Sequence, residues 1–120
     1  MRRYIISVVT RDYAKMKKVW ACKRQNLPVP YSRHEYSDGE VISYSEDHHI
    51  HWRRIVPFPM GIEIVGSFVY VCTENHITIL DKNSGQIIDE IHHPLFNDLH
   101  SIVRDSLNPD CFLVTSSGSD

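Results

Sequence analysis

Histidine is the residue type in this sequence most able to do chemistry: there are eight in 120 residues, and six of them fall in two groups, His48, His49 and His51, then His92, His93 and His100. On a strand, His49 and His51 stand at i and i+2 and face the same way, the spacing with which two imidazoles share a divalent metal. His100 follows Asp98 by two residues, so a carboxylate is placed to orient its ring as a ligand or general base. A metal held by His100, His49 and His51 is therefore the sharpest chemical expectation. The plainer one is that these are turn and surface histidines.

Other chemistries find less support. Cys22, Cys72 and Cys111 are an odd number at wide spacing, with no CxxC pair for zinc or redox work. They read as reduced thiols, two of them inside apolar strand-like runs. Ser116-Ser117-Gly118 lacks the Gly-x-Ser-x-Gly elbow of a serine nucleophile. Phosphate loops and dinucleotide fingerprints are also missing. Trp20, Trp52, Tyr36, Tyr44 and Phe58 are candidates for lining a sugar pocket, although core packing is the commoner use of such rings; Trp52 and, separately, Asp98 are the ligand-binding candidates.

Net charge is −2, yet residues 1–54 carry eleven Lys and Arg against six acids, whereas residues 55–120 carry two against nine. Such asymmetry suits head-to-tail contact between chains or an anionic partner at the N-terminal half, and its plainer reading is the solvated faces of a small domain. Arg2, Arg3, Lys15, Lys17, Lys18, Lys23 and Arg24, interleaved with Tyr4, Tyr13 and Trp20, have the types used on nucleic acid, but the overall pI of about 6.4 argues against that partner. The N-terminal apolar stretch, Tyr4 to Val9, is only six residues long, too short for a signal-peptide core or a membrane helix, so a cytoplasmic, membrane-free protein is expected.

These residues must be held by elements legible from periodicity. From Gly61 to Ile91, the segments GIEIVG, SFVYVCT, NHITILD and QIIDEI are short, β-branched and aromatic. The breaks between them are tight: Gly66-Ser67, Glu74-Asn75, and Asp81 to Gly85 with glycine in a left-handed position. Ile62, Ile64, Val69, Val71, Ile77, Ile79, Ile87 and Ile91 recur at period two, while Phe68, Tyr70, Cys72 and Leu80 between them are also apolar. Both faces of the middle strands should then be covered.

The pattern recurs, for Cys111 to Ser116 follows Phe68 to Thr73 after 43 residues. Upstream, GEVISYSEDHHIHWRRI resembles SFVYVCTENHITIL at a shift of 27 or 28. Pro57 and Pro59 mark a connection or an edge. Arg3 to Val9 reads as a strand; Ala14 to Arg24 is open between helix and strand, and its Val19 to Cys22 run tips the expectation to strand.

GIEIVGSFVYVCTENHITILDKNSGQIIDEI resembles a blade of quinoprotein-like β-propeller repeats, and HHPLFNDLHSIV with FLVTSSGSD resembles the next, with an Asp-x-His pair opening the inner strand and a Ser-Ser-Gly-x-Asp turn after the second. The resemblance covers residues 40–120. It implies an all-β fold of antiparallel four-stranded meander repeats: an N-terminal segment at 1–39, a partial copy at 40–60, a full blade at 61–94 and a partial blade at 95–120. Closed propellers have about four or more blades, so two and a half imply an incomplete propeller. The expectation is a non-enzymatic binding or assembly module, a homo-oligomer or the complement of another propeller fragment. No cofactor is expected in that reading. The alternatives are part of a metal-dependent propeller enzyme centred on His100, and a lectin-like glycan binder.

Overall fold

A computed structural model describes residues 1–116. The expected Ser-Ser-Gly-x-Asp turn runs past Ser116 and so lies largely outside the described residues. The elements are β1 (Arg3–Val8), α1 (Tyr13–Arg24), α2 (Arg33–Ser37), β2 (Asp38–Ser45), β3 (Ile50–Pro57), β4 (Ile62–Val65), β5 (Phe68–Cys72), β6 (His76–Asp81), β7 (Ile87–His92), β8 (Leu99–Arg104) and β9 (Phe112–Ser116). The strands form three antiparallel sheets, β1-β2-β3, β4-β5-β6-β7 and β8-β9.

The four-stranded sheet is the meander expected from the sequence. Gly66, at φ +60°, turns β4 into β5, and Gly85, at φ +72°, closes the loop into β7, both in the left-handed region that glycine occupies without a steric cost. Alternation then decides the layering. Val69, Val71 and Leu80 point to one side and pack with Val41, Trp52 and Val56 of the first sheet. Cys72 and Ile77 point to the other and pack with Leu99 and Ile102 of the third, with Tyr70 and Phe112 beside them. The middle sheet is thus the filling of a three-layer stack.

Polar contacts fasten the first sheet to the middle one chiefly at the loop of residues 82–85, with Ser7 Oγ donating to the Met60 carbonyl at 2.7 Å beside the start of β4. Trp52 Nε1 donates to the Lys82 carbonyl at 2.9 Å, Arg54 Nε to that of Gly85 at 2.7 Å, and Arg3 to that of Lys82 at 3.3 Å. A Cβ on Gly85 would collide with the indole of Trp52. On the opposite side, Glu63 accepts the backbone N–H of Arg104 at 2.7 Å. A middle strand can satisfy both neighbours because its side chains alternate.

Two features differ from the sequence expectation. Tyr13–Arg24 is helix rather than strand: Asp12 caps it by accepting the Lys15 N–H at 3.1 Å, and Met16 and Val19, spaced i and i+3, bury together against Tyr36. One β-branched residue did not outweigh the lysines and alanines around it. The short α2, not anticipated, starts with a Ser32–Glu35 capping box. β1 also joins β2 and β3 in one sheet, so the N-terminal strand and the partial copy share a layer. Tyr13–Arg24, at 12 residues, is the longer helix, and among the described residues none is long and apolar enough to cross a membrane.

Candidate functional site

The expected site residues separate into three places. His49 and His51 stand at the β2–β3 turn with ring centroids 4.8 Å apart, as the i, i+2 spacing required. Desolvation, with Arg3 and His49 nearby, holds the His51 imidazole below its ordinary pKa. His100 lies on β8, its Nε2 3.5 Å from Asp98 Oδ2, which brings together the Asp-x-His pair. Among the described residues no group of three or more His, Cys, Asp or Glu is arranged to hold a metal ion, so His100 does not complete a set with His49 and His51. The two histidine groups sit on different sheets, and the stack keeps them apart.

Trp52 is placed in the core at 8% exposure, with its indole N–H committed to Lys82. It seals the first sheet onto the middle one and offers no face to a ligand. Asp98, the other ligand-binding candidate, is elsewhere: it lines a cleft of about 670 Å³ between α1 and the strand ends, together with His100.

That cleft is built from parts of the chain far apart in sequence. α1 supplies Tyr13, Met16, Val19 and Trp20; the turn after β5 supplies Glu74; the entry to β8 supplies Asn97, Asp98 and His100. Tyr13 and Trp20 meet edge to face at 6.1 Å and are 61% and 45% exposed. Arg33 pairs with Glu74 across the rim and lies over the Phe58 ring, 5.6 Å from its centroid. Asp98 is anchored through its backbone, whose N–H donates to the Glu74 carbonyl.

Asp98 at φ +55° and Phe58 at φ +44° both have left-handed backbone, an unfavourable region for a side-chain-bearing residue and most of all for a bulky aromatic one. Sequence reasoning found Asp98, His100 and the α1 aromatics but not their meeting. Assigning α1 as strand hid it, since only a helix puts Tyr13, Met16 and Trp20 on adjoining faces.

No family model matches the chain, and no curated protein or solved structure is significantly similar to it.

Proposed function

We propose that the chain is a non-enzymatic binding and assembly module of propeller-type blades that associates end to end with a second copy of itself. The observation that carries this reading is that both ends of the stack are open and carry exposed apolar side chains, beside a Glu40–Arg53 ion pair on the first sheet and a Ser101–Thr115 pair on the third. On the first sheet, Tyr4, Ile6 and Ile55 are 39%, 39% and 52% exposed on the face away from the core. On the third, Val103 and Leu113 pair across β8 and β9 at 52% and 64% exposure. A sheet face of this kind ordinarily packs on another sheet.

A second copy suits these faces for two further reasons. The halves of the chain that carry the two ends have opposite charge excess. Two copies of three sheets make six, inside the range of closed propellers. The contact would be heterologous, first sheet on third, and closes only if both junctions form. The free thiols of Cys22, Cys72 and Cys111 suit a reducing compartment such as the cytoplasm.

Light scattering across a range of protein concentrations tests the reading, with Leu113→Asp and Ile55→Asp as breaking variants. The expected result is a dimer for the parent chain and folded monomers for each variant. Mixing the two variants restores one junction and recovers dimer. A parent chain that is monomeric at every concentration overturns self-association and leaves the two faces to a different partner, such as a complementary blade fragment.

A further inference from the structure

The cleft beside α1 carries a second inference, independent of assembly: we propose that it binds a neutral saccharide. Its volume, about 670 Å³, lies in the range of small-molecule sites. Its two walls differ in kind. The α1 wall presents Trp20 and Tyr13, half-exposed rings above a floor that includes Met16 and Phe58. The facing wall carries Glu74, Asn97, Asp98 and His100, four groups of mixed donor and acceptor character.

The contrast between the two walls points to the ligand class. Lys23 and Arg33 oppose Glu74 and Asp98 around the rim, two cations against two carboxylates, and Arg33 is already paired with Glu74. Among these four lining groups neither sign is in excess. A wholly apolar ligand would strip water from the polar wall without replacing its hydrogen bonds. A pyranose meets both walls: its C–H face covers an indole, and its hydroxyls both donate and accept, matching carboxylate, carboxamide and imidazole at once. Asp98 keeps its contact with His100 while accepting from a hydroxyl.

The backbone supports a built site. Among the described residues Phe58 and Asp98 are two of the four non-glycine residues with positive φ, and they stand on the floor and the polar wall of the same cleft. Strain of this kind persists where the surroundings hold it, and it gathers at ligand sites.

The test is binding of the Leu113→Asp chain to an array of neutral and acidic glycans, followed by calorimetric titration with the best neutral hit and with adenosine. Using that variant keeps a failure of assembly from being read as a failure of the cleft. A saturable neutral saccharide is expected, its affinity insensitive to salt. Trp20→Ala should weaken it about tenfold or more through loss of the stacking face. Asp98→Asn should also weaken it, and asparagine tolerates the left-handed backbone, so any loss reports the carboxylate and not the turn. Both residues are exposed enough for the variants to fold. The proposal is overturned if no neutral glycan binds, if both variants bind like the parent, or if adenosine binds more tightly than every saccharide.

Discussion

The β2–β3 and β5–β6 hairpins have related sequences and opposite situations. The second lies in the middle of the stack: Val69, Val71 and Cys72 are fully buried, with neighbours on both faces. The first lies at an end: Val41 and Trp52 are buried on its inner side, while Ile42 and Tyr44 on the outer side are only partly covered and Ile55 is half exposed. Their turns differ as well. Thr73 Oγ1 lies 2.8 Å from the His76 carbonyl and accepts the His76 N–H at 3.3 Å, whereas Ser45 Oγ donates to Asp47 at 2.5 Å and its hairpin is bulged at Ser43/Tyr44. The same kind of strand can thus serve as filling or as an end, and its neighbours decide which. In the proposed assembly, the outer face of β2 and β3 is where the added layer packs.

The largest test of that contrast is truncation on each hairpin, made in the Leu113→Asp background so that association does not contribute. Leu80→Ala on β6 should cost about 2–5 kcal/mol, because the central sheet cannot collapse into the space. Ile55→Ala on β3 should cost within about 0.5 kcal/mol. Equal losses in denaturant unfolding would show that the first sheet is covered in the single chain.

A smaller difference is expected at the turns. The Thr73 hydroxyl is buried and contacts backbone groups on the far side of its turn, so Thr73→Ala should cost about 1–2 kcal/mol; Ser45→Ala, losing one side-chain partner, should cost no more than about 1 kcal/mol. The same unfolding assay ranks them, and a reversed order would mean that the bulged turn is the more rigid.

The smallest effect is pH dependence in the β5–β6 turn. Desolvation holds the His76 imidazole below its ordinary value of 6.5, outweighing Glu90, and the His92 ring stacked at 4.9 Å adds to the lowering. The unfolded chain then binds the proton more readily than the folded one. Stability should be full above pH 6.5, fall as pH drops below it, and level off once the folded ring also protonates. A ring titration followed by NMR at or above 6.5 would remove His76 from that account.

Turn chemistry made much of the fold legible. Gly66 and Gly85 mark their turns because only glycine takes those backbone angles at no cost, and period-two alternation places Val69 and Val71 on one face. The helix at Tyr13–Arg24 was less legible, since its Lys-rich first half and its Val19 to Cys22 run point in different directions and packing of Met16 and Val19 against Tyr36 settles the matter. Of the candidate site, the sequence brought Asp98 to His100 by adjacency, and His49 to His51 by strand period.

What the residues determined by themselves is therefore local: strands, tight turns and pairs two residues apart, all set by backbone sterics and alternation over a few bonds. Tertiary structure decided what depends on contacts across the chain. It buried Trp52 against Gly85 instead of leaving it to a ligand, and it set His100 on a different sheet from His49 and His51. It also carried Trp20 of α1 to the cleft that Asp98 lines, because sheets stack face to face by burying area and sequence spacing carries no information about which faces meet.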